Sequence, residues 1–208
     1  MQKSSFKTYR RSIMPNWCAN AVVIEATEHE GAQMIRRLDT HLKEGGELIS
    51  FFLPIPPELN DPRTGSFGGD DADEKDALRK SLLEKYGYSG WYDWCLAEWG
   101  TKWDAKPDDF FLDGDSMEIY FDTAWSPPIK FYTELFERFN FEVNATFVEQ
   151  GANYIGYYVN GDYQVEDFIY DGLDYDDDDY CEKMDQSLEE YFEESIYVHP
   201  ATPNHTGG

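Results

Sequence analysis

Between Tyr180 and Ser195 the chain sets acidic side chains at helical spacing. Cys181, Met184, Leu188 and Tyr191/Phe192 recur on one apolar stripe, Glu182, Asp185, Glu189 and Glu193 line one flank, and Glu190 and Glu194 extend the other. Carboxylates three or four residues apart on a helix stand about 5–6 Å apart and repel one another, so the row costs helix stability. Just before it lie Asp174, Asp176, Asp177, Asp178 and Asp179. Phosphates along one DNA strand advance ~3.4 Å per step and are met by Lys and Arg on the protein side. A rigid row of carboxylates at a comparable pitch can enter the same basic groove. The chemistry expected of these residues is capture of a basic surface by imitation of phosphate; the alternative is a solvated acidic face that serves solubility.

Other chemistry has thinner support. The run Asp171–Asp179 resembles a calcium loop only in part, because Asp179 stands where the sharp turn needs Gly and Asp185 where a bidentate Glu is usual. Cys18, Cys95 and Cys181 are far apart and form no CxxC pair, which argues against a zinc site or a disulfide framework. His29, His41, His199 and His205 have no Ser or Cys partner evident in sequence. No cofactor, metal or catalytic residue is expected, and the protein is expected not to be an enzyme. Trp17, Trp91, Trp94, Trp99, Trp103 and Trp125 could stack on bases or sugars, but Asp93, Glu98 and Asp104 lie among them where a nucleic-acid groove needs cations. They are expected to be core rings, with Lys102 a local charge partner.

The body that must hold these residues can fold. Asp and Glu number 42 against 17 Lys and Arg, a net charge of −25, yet 41% of residues are hydrophobic and 17% aromatic. Acidic disordered chains lack such apolar content. The resulting field repels nucleic acid and anionic membrane and attracts basic surfaces. No apolar run approaches membrane-spanning length, and three scattered cysteines without a disulfide framework make a reducing, cytoplasmic location the default.

Residues 1–13 carry Lys3, Lys7, Arg10 and Arg11 without an acid and are expected to be a basic mobile extension. Trp17–Ala26 reads as a central strand covered on both faces, and Glu28–Glu44 as a helix with Ala32, Ile35, Leu38 and Leu42 inward. Phe110–Leu112 and Met117–Thr123 flank a turn at Asp113–Ser116, and Pro127-Pro128 opens a helix running to Phe139. Strands are expected over Glu142–Glu149, Tyr154–Val159 and Tyr163–Ile169. This order is an α+β ferredoxin-like arrangement: an antiparallel sheet with two helices on one face. It occupies residues 14–170 and is interrupted by a Trp-rich helical insertion at about 47–107, expected to cover the other face. In the insertion, Phe51–Pro57 reads as extended and Lys75–Tyr86 and Trp91–Trp99 as helices. An acidic loop and helix (171–197) and a disordered tail (198–208) follow.

The segment Met14-Pro15-Asn16-Trp17-Cys18-Ala19-Asn20, with Phe52–Pro56, Trp99–Asp104 and Thr123–Pro128 in the same order, resembles the YubB-type ferredoxin-like domain family of phage and conjugative-plasmid proteins. The likeness covers roughly residues 14–165. It implies a ferredoxin-like fold and a mobile-element origin; it does not imply iron, and it brings no established enzymatic activity or catalytic residues. Together with the acidic row it leads to an expected role as an inhibitor or decoy that binds a host nucleic-acid-binding or defence protein. The partner is that protein's basic surface, with no direct contact to nucleic acid and none to membrane. The alternative is a housekeeping or structural binding module.

Overall fold

The computed structural model describes residues 17–65, 71–149, 151–152 and 154–167. Strand β1 (Trp17–Ala26) leads into helix α1 (His29–Lys43), where Ala32, Ile35, Leu38 and Leu42 are buried as their spacing requires. The hairpin β2 (Asp109–Asp113) and β3 (Ser116–Ala124) turns at Gly114, and helix α5 (Ile129–Glu137) follows Pro127-Pro128. Strands β4 (Phe141–Glu149), β5 (Tyr154–Val159) and β6 (Asp162–Asp167) complete a six-stranded antiparallel sheet of order β2-β3-β1-β4-β5-β6. Its first four strands have the order of a ferredoxin-like split βαβ pair, and β5 and β6 extend one edge. The fold is α+β and ferredoxin-like.

Between α1 and β2 the insertion forms α2 (Ile49–Phe52), a 3-10 turn (Pro62–Gly65), α3 (Ala72–Tyr86) and α4 (Trp91–Glu98). The expected extended segment therefore begins only after Phe52. Asp104 fixes that turn of helix by accepting hydrogen bonds from the backbone N–H groups of Ile49 (2.8 Å) and Ser50 (3.0 Å), satisfying donors that a helix start leaves open.

The insertion does not cover the second face of the sheet. Leu48, Ile49, Phe52, Leu53, Cys95 and Trp99 join the same buried cluster as Ile35 and Leu38 of α1, Phe131 and Leu135 of α5, and Val22, Ile24, Ile119 and Val143 of the sheet. Phe52 shows why: its ring meets those of Phe131, Phe139 and Phe141 at 5.2–6.0 Å, and these rings are available only on the helical side. Trp99, 2% exposed, donates its indole N–H to the Leu53 carbonyl at 2.9 Å, so the loop after α4 is bonded to the segment after α2.

As a consequence β1 is buried on one face only. Cys18, Asn20, Val22 and Ile24 point into the core, while Trp17, Ala19, Val23 and Glu25 are exposed. Exposure on that outer face is concentrated on β2, β3, β1 and the Phe141 end of β4; Val148 and Ile155, toward β5, are buried.

Candidate functional site

The six strands contain ten acidic residues and no Lys, Arg or His: Glu25, Asp109, Asp113, Glu118, Asp122, Glu142, Glu149, Asp162, Glu166 and Asp167. Strand register sorts them. Glu25 lies directly opposite Glu142 on one side and Ser116 on the other, and Ser116 is opposite Asp113. Two residues along, Phe111, Glu118, Val23 and Asn144 form the next outward row. Neighbouring strands are ~4.8 Å apart, and like charges directly opposite each other destabilise a sheet. Among the described residues neither Glu25 nor Glu142 is ion-paired. This end of the outer face is a fixed anionic surface with Phe111 (53% exposed) and Val23 standing among the carboxylates.

The other end of the same strand is aromatic. Trp17 begins β1, Trp125 follows β3, and Trp103 comes from the loop after α4; Trp103 lies 6.0 Å from Trp17 and 6.4 Å from Trp125 between ring centroids. All three remain 38–45% exposed, as does Tyr92 of α4 at 39%. Of the tryptophans expected in the core, Trp99 is buried and Trp17, Trp103 and Trp125 are not. Trp17 is on the outer face of β1, Trp125 directly follows β3, and Trp103 comes from a loop.

The loop holding Trp103 is tied down residue by residue. Gly100 adopts φ +81°, and a Cβ there would stand 3.2–3.4 Å from the backbone of Pro128, Ile129 and Lys130. The Ser126 hydroxyl donates to the Gly100 carbonyl at 3.1 Å, and the Thr101 hydroxyl to the Ala124 carbonyl at 3.4 Å. Trp125 has φ +69°, a left-handed conformation uncommon for a bulky residue, and Tyr154 donates to its carbonyl at 2.7 Å. Lys102 stands among the rings rather than beside a carboxylate. Its ammonium is 4.3 Å from the Trp103 centroid, 5.1 Å from Trp125 and 5.7 Å from Tyr92.

Beneath this end lies a closed polar network. The Asn20 amide donates to the Cys18 carbonyl (2.7 Å) and the Thr123 hydroxyl oxygen (2.9 Å), and its oxygen accepts from Tyr132 at 3.0 Å. The Thr123 hydroxyl in turn donates to the Ser126 carbonyl at 2.7 Å. Asn20 and Thr123 therefore position the Trp17 and Trp125 backbones. Burial pushes the Cys18 thiol up to about 12, and burial does the same to Cys95, so both are protonated at neutral pH and poor nucleophiles. Among the described residues no group of three or more His, Cys, Asp or Glu could hold a metal ion, and no helix is long and apolar enough to cross a membrane.

Asp174, Asp176, Asp177, Asp178, Asp179, Glu182, Asp185, Glu189, Glu190, Glu193 and Glu194, the expected partner-binding row, all lie outside the described residues, as do His199 and His205. The acidic sheet end was not singled out in the sequence, and the tryptophans were named there as a possible stacking surface but assigned to the core. The signal that could have found the first is the absence of any basic residue from all six strand segments.

A family model for the ferredoxin-like domain in Api92-like protein matches residues 98–194. Among solved structures, the crystal structure of a protein Api92 from Yersinia pseudotuberculosis is similar at 10% identity with a TM-score of 0.40, over 75% of this chain and 99% of that one. No curated protein matches the chain.

Proposed function

We propose that the protein is a non-enzymatic inhibitor or decoy that captures the basic, nucleic-acid-binding surface of another protein. The observation that carries this reading is the outward row Asp113, Ser116, Glu25 and Glu142, with Glu118 beside it, on a sheet that contains no cationic residue. A fixed carboxylate surface of this kind steers a basic partner toward itself and repels nucleic acid. The opposition of Glu25 and Glu142 costs stability, and a basic partner relieves that cost. The resemblance of Met14–Asn20 and Thr123–Pro128 to the YubB-type family supports a phage or plasmid origin, in which blocking a host defence protein is useful. The acidic residues from Asp174 to Glu194 add negative charge of the same sign to the chain.

The test is displacement. A partner is captured from bacterial lysate, eluted by salt and loaded with a labelled oligonucleotide, and the wild-type protein should release that oligonucleotide. The variant Glu25→Gln/Glu118→Gln/Glu142→Gln should release much less, and so, separately, should Glu182→Gln/Asp185→Gln/Glu189→Gln/Glu193→Gln if those carboxylates also act. Equal displacement by wild type and both variants would show that the acidic surfaces only solvate the protein.

A further inference from the structure

The rings around Lys102 form a cation site that the acidic sheet end does not explain. In a chain with 42 carboxylate side chains, this ammonium has no ion-pair partner among the described residues; three ring faces hold it instead. Ring faces attract cations through their quadrupoles, so convergence of three of them on one ammonium defines a position selective for positive charge. The position is built, not incidental. Gly100, Thr101 and Ser126 fix the Trp103 loop, and Trp125, at φ +69°, accepts a hydrogen bond at its carbonyl from the Tyr154 hydroxyl. A left-handed bulky residue persists only where its surroundings over-determine it, and such residues gather at binding sites.

We propose that Tyr92, Trp103 and Trp125 form a cage for an arginine side chain of a basic protein partner, which Lys102 occupies as a tethered plug until the partner displaces it. Charge complementarity selects the occupant: a protein of net charge −25 draws basic segments, and Trp-rich exposed clusters are typical binding hot spots. Arginine is favoured over lysine because its planar guanidinium stacks on rings and is more weakly hydrated, so it can outcompete a tethered ammonium. The inference rests on the basic-partner reading and names the side chain that the partner contributes.

The test needs no partner. Wild type and Lys102→Met, which keeps the stem and removes the charge, are titrated with N-acetyl-arginine amide while tryptophan fluorescence and indole N–H shifts are followed. The variant should bind about tenfold more tightly than wild type, as expected when one competing cation–ring contact is removed. The neutral isostere N-acetyl-citrulline amide should bind at least tenfold more weakly than the arginine probe. Trp103→Leu in the Lys102→Met background changes a half-exposed ring, so the circular dichroism should be retained while arginine binding is lost. Equal binding by wild type and Lys102→Met, equal binding of citrulline and arginine, or tighter binding of N-acetyl-lysine amide would each overturn the proposal. Oligonucleotide displacement through Glu25, Glu118 and Glu142 can still succeed in that case, so the two ideas fail separately.

Discussion

Cys18 and Cys95 are both buried, and the same desolvation that makes their thiols poor nucleophiles couples them to pH. Burial disfavours the thiolate, so each folded value (about 12) lies above the free value of 9.0. A group raised in this way contributes stability that is fully present below its unfolded value and is lost as pH rises toward its folded one. Urea-unfolding free energy should therefore hold up to pH 9.0 and decline above it. Tyr132, also raised by burial, adds a loss of the same sign from its free value of 10.0. In a Cys18→Ala/Cys95→Ala variant the decline should begin with the tyrosine instead of at 9.0. An unchanged onset would show that the thiols are not desolvated as the packing indicates.

The loop from Trp99 to Asp104 is the element that joins fold to site. Trp99 anchors it in the core, Gly100 lets it pass over the start of α5, and Lys102 and Trp103 emerge beside Trp125. Gly100→Ala forces a side chain into a φ of +81° and against the backbone of α5, so it should destabilise the protein by about 1–3 kcal/mol. It should also shift the Trp103 and Trp125 indole resonances before global unfolding. Chemical denaturation and the indole spectrum check both. A neutral effect on each would mean that the loop is free to move, and the cage would not be preorganised.

For the whole molecule, the excess of 42 acids over 17 bases acts on stability and on binding with opposite sign. Like charges repel in the compact state, and salt screens them with a Debye length of about 8 Å at physiological ionic strength. Raising sodium chloride from low concentration should move the urea midpoint upward while weakening capture of a basic partner. Ion pairs offer little counterweight: Arg36–Asp115 and Lys85–Glu58 join side chains more than half exposed, and such pairs contribute little. A midpoint that falls with salt would show that attractive pairs outweigh repulsion.

Helix and strand positions were legible in sequence because local pattern determines them. The Trp17–Ala26 and Tyr154–Val159 strands, the Ala32–Leu42 stripe and the helix after Pro127-Pro128 stand where periodicity and turn residues put them. The ferredoxin-like order followed from the sequence of elements. Which face the insertion covers did not: an apolar residue carries no label for its partner, and only the meeting of Phe52 with Phe131, Phe139 and Phe141 placed the insertion on the helical side. The same ambiguity explains the tryptophans, since Trp99 and Trp103 are alike in composition and context, yet one reaches the Leu53 carbonyl and the other remains exposed. The net charge of −25 and the lack of Lys, Arg and His in the strand segments were written in the chain from the start. The opposition of Glu25 to Glu142 and the gathering of Tyr92, Trp103 and Trp125 around Lys102 required strand register and loop closure, which join residues far apart in sequence and are therefore decided only by the tertiary fold.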